Sequence, residues 1–190
     1  MSGEKNLFEV YGVGETLTFG NYGGSPIEWR VLAKRGGRER LLFAENIVAQ
    51  QPYNERYISM CWQKCSLRKW LNQKFYREAF SFQQQTQIMN TRLENLPNPE
   101  SSVGSGPNTI DKIFVLSLKE LDQYVPAEED RIRNDWWWLR TVGDNNLSAC
   151  SVYTDGSVYM RGINIHYKEG GVRPAMWIML RGDKKFEKED

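Results

Sequence analysis

The order of hydrophobic patterns along the chain is the feature that most limits its fold. Alternating apolar and polar runs, typical of half-buried strands, occupy both ends, and segments with helical spacing lie between them. Helices are expected to begin at Ser66 and at Ser81, the second including Ile88, with a short helix at 118–124. Strands are expected at 16–20, 27–32, 41–44, 113–116, 136–140, 149–153, 157–161 and 175–180. This order predicts an α+β domain with a mainly antiparallel sheet and two principal helices.

The length of the chain favours a single domain. Its 190 residues suffice for one substantial core and are few for two. We therefore expect one domain over 1–190, with a core at about 15–180. The segment 97–108 is rich in Gly, Ser and Pro, which predicts a flexible loop, and residues 181–190 form a charged tail.

Charge and hydropathy narrow the classes of partner. The chain carries 25 basic and 24 acidic residues, spread along its length, for a net charge of +1. Domains that bind nucleic acid normally show a basic stripe, so no nucleic-acid partner is expected. No apolar run is long enough to span a bilayer, and residues 1–10 lack the apolar segment of a signal peptide. These features predict no membrane span and a cytoplasmic location, although surface display by another route stays open.

An Asp-Gly pair between two alternating runs predicts a β-hairpin near the carboxyl end of the chain. Two registers fit the sequence. A three-residue loop, 154–156, with its glycine left-handed, pairs Val152 with Val158 and Cys150 with Met160. A two-residue loop shifts the pairing by one residue. We favour the three-residue loop because it gathers the apolar side chains on one face, and burial sets strand register.

The opposite face of this hairpin is the candidate binding surface. Tyrosine rings and hydroxyl groups on a rigid ribbon have the composition of an antibody-type recognition surface, and a flat face of this kind suits a protein ligand. The alternative is an ordinary solvated face of an antiparallel sheet. The candidate ligand-binding residues are Ser151, Tyr153, Ser157, Tyr159 and Arg161, with Asn145, Asn146, Asn164, His166 and Tyr167 around them.

A series of motifs, in a fixed order over about residues 15–180, resembles the bacterial DUF6273 family. The motifs are Trp29-Arg30-Val31-Leu32, Pro52-Tyr53, Leu67-Arg68-Lys69-Trp70-Leu71-Asn72, Phe75-Tyr76, Ala79-Phe80, 111–117, Trp137-Trp138-Leu139-Arg140, Asp155-Gly156-Ser157-Val158 and Gly171-Val172-Arg173-Pro174-Ala175. The resemblance implies a C-type-lectin-like fold, related to the formylglycine-generating enzyme and to variable proteins of diversity-generating retroelements. It further implies a scaffold closed by residues 171–180, and a variable receptor whose ligand-binding positions fall within 141–167.

Catalytic chemistry is not evident in the sequence. His166 is the only histidine, so neither a histidine-containing triad nor a multi-histidine zinc site is readily built. A zinc site of Cys61, Cys65, Cys150 and His166 is a less favoured alternative to free thiols, because its spacing departs from the usual paired motifs. We therefore expect a non-catalytic protein with no catalytic residue, metal or cofactor.

Two further readings stay open. A metal-dependent enzyme of the formylglycine-generating branch is the first, although that branch relies on a pair of cysteines near the carboxyl terminus, where this chain has only Cys150. A scaffold or interaction domain is the second. The sequence leaves the oligomeric state unknown. It does predict that tryptophans 136–138 pack in the core, and that Arg140 and Arg173 bind carbonyl or carboxylate groups.

Overall fold

Two mainly antiparallel sheets and a small two-stranded ribbon make up the fold. A computed structural model describes residues 11–180. The strands are β1 (Thr16–Tyr22), β2 (Ser25–Arg35), β3 (Glu39–Ala44), β4 (Ala49–Gln50), β5 (Thr91–Leu93), β6 (Thr109–Asp111), β7 (Trp137–Val142), β8 (Ser148–Val152), β9 (Val158–Asn164), β10 (Gly171–Val172) and β11 (Ala175–Met179). The four-stranded sheet has the order β1-β2-β3-β11, the five-stranded sheet has the order β4-β10-β7-β8-β9, and β5 pairs with β6.

The helices are short and lie between the first and last strands. Helix α1 covers residues 66–79 and consists of Ser66–Trp70, a π-helical stretch Leu71–Phe75, and Tyr76–Ala79; α2 is Phe82–Gln85, and α3 is Leu118–Tyr124. Both α2 and α3 begin with a capping box, formed by Ser81 with Gln84 and by Ser117 with Glu120. The predicted α+β class with mainly antiparallel strands is therefore confirmed.

The amino-terminal cap of α1 differs from the prediction by one residue. Cys65, not Ser66, is the cap, because its sulfur accepts a hydrogen bond from the Arg68 amide at 3.4 Å. The Ser66 hydroxyl instead accepts from the Glu55 amide at 2.9 Å.

The extent of one predicted helix and the presence of one predicted strand are also wrong. Helix α2 ends at Gln85 and does not reach Ile88, which is buried and forms a single bridge with Ile178. The segment 113–116 is buried but is not a sheet strand, since only Phe114 forms a bridge, with Ala175. In both cases the buried residue contacts β11, and this tertiary contact outweighs the helix or strand that the local sequence pattern predicts.

Strand β11 connects the carboxyl-terminal part of the fold to the amino-terminal sheet. Strand β11 is antiparallel to β3, with Ala175 opposite Phe43, so the carboxyl-terminal part completes the amino-terminal sheet. Strand β10 is parallel to β7 and antiparallel to β4. In the five-stranded sheet β8 is an inner strand, and β9 lies at one edge, as β4 does at the other, so each leaves one side unpaired.

The tryptophan triplet packs largely as predicted. Trp137 and Trp138 are fully buried, whereas Trp136 is half-buried and meets the ring of Trp138 edge-on at 4.7 Å. The Trp137 ring lies 5.8 Å from that of Phe43, and the Trp138 ring 5.9 Å from that of Tyr53. The triplet therefore belongs mostly to the core.

Arg140 behaves as predicted. Its guanidinium donates to the carbonyl oxygen of Val115 at 2.7 Å and to both carboxylate oxygens of Glu120, at 2.7 and 3.0 Å. Because Arg140 is buried, this two-point contact ties the core strand β7 to the first turn of α3.

The segment 97–108 has specific contacts with the second sheet. The buried side-chain amide of Asn98 donates to the carbonyl oxygens of Val142 and Met160, at 2.9 and 2.8 Å. The hydroxyl of buried Ser105 accepts from the Val142 amide at 3.2 Å. The predicted flexibility of the segment 97–108 stays a prediction. The predicted tail, 181–190, lies outside the described residues, as do residues 1–10. Across residues 11–180 no helix is long and apolar enough to cross a bilayer.

Candidate functional site

The predicted hairpin forms from β8 and β9 in the expected register at its tip. Val152 pairs with Val158, and Gly156 has a φ of +88°. The Tyr153 amide donates to the Ser157 carbonyl oxygen at 2.9 Å, and the Gly156 amide donates to the Tyr153 carbonyl oxygen at 3.0 Å. The three-residue loop with a left-handed glycine is thus confirmed.

The tip of the hairpin is held from two sides. One carboxylate oxygen of Asp155 accepts from the Ser157 hydroxyl at 2.6 Å and from the Ser157 amide at 2.9 Å. These hydrogen bonds lower the pKa of Asp155. On the other side the turn packs against the 126–131 loop, since a Cβ atom at position 156 would lie 2.3 Å from the Glu128 carbonyl oxygen.

A bulge changes the register farther along the hairpin. Ser151 pairs with Tyr159, but the next pair joins Ala149 to Ile163, so residues 160–162 of β9 face a single residue of β8. The predicted direct pair of Cys150 with Met160 is therefore not formed. The Met160 carbonyl oxygen instead accepts from the Asn98 amide at 2.8 Å and from the Cys150 thiol at 3.3 Å.

Two stacked tyrosines form the most prominent feature of the predicted face. The rings of Tyr153 and Tyr159 are 5.3 Å apart with an angle of 20° between their planes. Tyr153 is 38% exposed and Tyr159 is half-buried. Partial burial, then the neighbouring Tyr159 and Asp155, raise the pKa of Tyr153, so both its ring and a neutral hydroxyl are presented at physiological pH.

Ser151 corrects the prediction for this face. It was expected to be displayed, yet it is fully buried, and within residues 11–180 its hydroxyl oxygen has no hydrogen-bond partner. The physical reason is the position of β8 in the sheet. On this inner strand Ser151 lies between Trp138 of β7 and Tyr159 of β9, and every residue from Ser148 to Val152 is buried.

The base of the hairpin is polar. Arg161 is exposed and its Nε lies 3.0 Å from a carboxylate oxygen of Asp144, which raises the pKa of the guanidinium. Asn145 is exposed and its side-chain oxygen accepts from the Leu147 amide at 2.8 Å. Asn146 is half-buried, and its carbonyl oxygen accepts from the Met60 amide.

A second aromatic group follows β9. The side-chain oxygen of half-buried Asn164 accepts from the His166 amide at 3.1 Å. The His166 ring lies 5.5 Å from that of Tyr57 and 6.0 Å from that of Tyr167, and these tyrosines are 54% and 50% exposed. Sequence reasoning missed Tyr57, because its segment reaches this surface through backbone bonds between distant residues, from the Asn54 amide to the Ile165 carbonyl oxygen and from the Met60 amide to that of Asn146.

The structure therefore arranges the predicted residues as a strip and not as a pocket. Nine of the ten are at least partly exposed; only Ser151 is buried. One aromatic group lies at the tip and the other at the base, separated by the length of β9, roughly 20 Å at about 3.3 Å per residue. We call these nine residues the hairpin strip: Asn145, Asn146, Tyr153, Ser157, Tyr159, Arg161, Asn164, His166 and Tyr167.

An apolar cleft lies beside β9 and was not predicted. It has a volume of about 360 Å³ between the 96–99 segment, α3 and the edge strand. Half-buried Val158 and Met160 of β9 line it, and Val158 also packs against the core. Its apolar lining includes Leu96, Pro97, Leu118, Leu121, Val158 and Met160.

The cysteines are dispersed among different environments. Burial raises the pKa of Cys65 and of Cys150 to about 12. The Cys150 thiol donates to the Val142 carbonyl oxygen at 3.2 Å, whereas His166 lies on the surface. Across residues 11–180 no three His, Cys, Asp or Glu side chains are placed to hold a metal ion, so the fold does not assemble the alternative zinc site.

Comparison with known family models identifies the family of the chain. The family described as "Domain of unknown function (DUF6273)" matches residues 38–180, more than half of the chain. No curated protein and no solved structure matches significantly.

Proposed function

Because the chain belongs to the DUF6273 family, whose description assigns no activity, we propose its function from geometry: it is a non-catalytic module that binds a protein ligand through the hairpin strip. The observation that carries this proposal is the stacked pair Tyr153 and Tyr159 on an edge hairpin. Tyrosines of this kind supply large contact area while losing little conformational freedom on binding.

The support at the tip favours binding further. The turn is packed on Glu128 and closed by Asp155, so the tyrosine pair is already positioned before a ligand arrives. A preorganised surface loses less conformational entropy on association than a mobile one. Near the base, Arg161 and Asp144 form an exposed ion pair, which is weak enough to exchange for charges on a partner.

Selecting peptide ligands against the whole protein, with no part of its surface chosen in advance, tests the proposal. Peptides would be selected from a random displayed library against the whole wild-type protein, and their affinities measured for wild type and for the double variant Tyr153→Ala/Tyr159→Ala. Buried tyrosines are frequent hot spots, so we expect losses of about tenfold or more per ring.

The matched control is Phe82→Ala, which removes another exposed ring, 84% exposed on α2 and outside the hairpin. Selected peptides should bind this variant as tightly as wild type. Unfolding curves of all variants confirm that each is folded. The proposal is wrong if the selected peptides bind the double tyrosine variant with unchanged affinity.

The finer part of the proposal is that the domain has a C-type-lectin-like fold and is the variable receptor of a diversity-generating retroelement. Closure of the first sheet by β11 and the location of the strip within 141–167 are consistent with the resemblance in sequence. Sequencing the encoding locus tests it. A near-copy of the codons for 141–167 that differs only at adenines, beside a reverse-transcriptase gene, is the expected result. The absence of such a copy would refute the receptor role and leave a fixed binding module.

A further inference from the structure

The guanidinium of Arg173 is buried without a full set of partners. The residue is 1% exposed, follows β10, and donates from Nε to the Ala44 carbonyl oxygen at 3.2 Å. Within residues 11–180 no acceptor contacts its Nη1 atom. The Cζ atom of Arg173 lies over the rings of Phe43 and Trp137, 4.1 and 4.7 Å from their centres. Cation–π contact stabilises the charge but does not provide the acceptor that a buried N–H group requires.

The surroundings of Arg173 carry an excess of positive charge. Glu45 accepts hydrogen bonds from both Arg30 and Arg133, and Asp130 pairs with Arg30 at 3.1 Å. Three guanidinium groups thus face two carboxylates. Burial lowers the pKa of Arg173 to about 8, with repulsion from Arg133 adding to the shift. A guanidinium otherwise remains protonated in proteins, so the charged form of Arg173 is disfavoured here, first by burial and then by the like charge of Arg133.

A cavity of about 160 Å³ adjoins this charge. A water molecule needs only on the order of 10–15 Å³, so the cavity has room for several heavy atoms. Its entrance includes exposed Val13 and the partly exposed side chains of Arg30 and Asp130. Fully buried Arg173 lies on the inner wall, and Leu32 and Val125 are among the apolar side chains that line the space.

We propose that this cavity binds a small aliphatic monocarboxylate, with its carboxylate on the guanidinium of Arg173 and its hydrocarbon part against the apolar wall. A single negative charge balances the excess of one guanidinium. Asp130 at the entrance disfavours anions of higher charge, such as phosphate, by repulsion. The apolar wall favours an organic ion over chloride. This site is separate from the hairpin strip and does not depend on the proposed function.

A titration with fatty acids of increasing length tests the proposal. Formate, acetate, propionate and butyrate would be added at constant ionic strength, while NMR follows the Nε–H signal of Arg173 and the indole signal of Trp137. We expect saturable shifts, with affinity rising roughly fourfold for each methylene buried. Butyramide, which has a similar shape without the charge, should not bind. Shifts that are linear in salt, or equal with chloride, would overturn the proposal.

Two variants with opposite expected effects complete the test. Arg173→Gln should abolish saturable binding, whereas Asp130→Asn should tighten it severalfold, because it removes a negative charge from the entrance. Arg161→Gln is the matched control, since it removes an exposed guanidinium of the hairpin strip, and it should leave the affinity unchanged. If Arg173→Gln fails to fold, Asp130→Asn decides, because an unchanged or weaker affinity in that variant contradicts the proposed site.

Discussion

The substitution Asn98→Asp should destabilise the protein strongly and in a pH-dependent way. The Asn98 amide nitrogen donates to the carbonyl oxygens of Val142 and Met160, at 2.9 and 2.8 Å, in a fully buried position. Its side-chain oxygen accepts from the amides of Glu100 and Ser101. An aspartate has nearly the same shape, but when it is ionised it places a carboxylate oxygen against two carbonyl oxygens. It must therefore be protonated to remain there.

The expected loss in the free energy of unfolding follows from the cost of keeping the aspartate protonated. The carboxyl group of an aspartate in an unfolded chain titrates at about pH 3.9, and each pH unit above that value costs about 1.36 kcal/mol. Keeping the group neutral at pH 7 therefore costs about 4 kcal/mol. The proton restores one of the two donated hydrogen bonds, so a further loss of about 1 kcal/mol remains. Because the folded-state pKa is raised, the relative stability of the variant increases as the pH falls toward the unfolded pKa. At pH 5 the protonation cost is only about 1.5 kcal/mol.

Urea unfolding followed by tryptophan fluorescence at pH 7 and pH 5 measures both quantities. The free energy of unfolding of Asn98→Asp, relative to wild type, should recover by roughly 2–3 kcal/mol between these pH values. Asn145→Asp is the matched control, since Asn145 is exposed and its side-chain oxygen only accepts, from the Leu147 amide. It should change stability by less than about 0.5 kcal/mol. A loss below about 1 kcal/mol for Asn98→Asp at both pH values would refute the reasoning.

Two further predictions concern the hairpin turn and the thiols. Gly156→Ala combines a φ of +88° with a Cβ atom 2.3 Å from a carbonyl oxygen, whereas Gly36→Ala adds a Cβ in open space at a φ of +58°. Thermal unfolding should show a larger loss of stability for Gly156→Ala than for Gly36→Ala, where only the backbone strain of about 1 kcal/mol is expected. Equal losses of stability in the two variants would contradict the packing of the turn against Glu128. In native buffer at pH 8, a thiol reagent should modify half-buried Cys61 first, and all three cysteines only after unfolding. Burial raises the pKa of the other two thiols, so equal native rates would contradict the buried positions of Cys65 and Cys150.

Local sequence patterns predicted the strands of five or more residues in their main outline, and missed the short strands β4, β5, β6 and β10. The alternation at 27–32 and the Asp-Gly turn at 154–156 correspond to β2 and to the turn of the hairpin. Each of these signals is carried by residues adjacent in sequence, and turn geometry depends on the same few residues. The pairing of Val152 with Val158 was predictable for the same reason.

Features that depend on distant neighbours were not predictable. Ser151 alternates like an exposed residue, but it is buried between its cross-strand partners Trp138 and Tyr159. The bulge opposite Cys150 is stabilised by Asn98, a residue far away in sequence. Tyr57 joins the aromatic group at His166 through a contact between segments that no local periodicity records.

The backbone of the hairpin is held mainly by contacts that do not involve its exposed rings. The tip is positioned by Gly156 on Glu128, and the bulge by the amide of Asn98. The rings of Tyr153 and Tyr159 contact each other, and no hydrogen bond that shapes the turn comes from their side chains within the part of the chain that the structure describes. These two tyrosines can therefore be replaced with little effect on the backbone that presents them.

Other positions in the hairpin strip have a different role. The side-chain oxygens of Asn145 and Asn164 accept backbone amides two residues farther along, and Asp155 does the same for Ser157. Substitution there alters the turn itself, because the local hydrogen bond is what fixes its conformation. A surface with replaceable tyrosines on a separately supported backbone is the arrangement that a receptor with variable binding positions requires. It follows that tolerated variation should concentrate at Tyr153 and Tyr159, and spare Asn145 and Asn164.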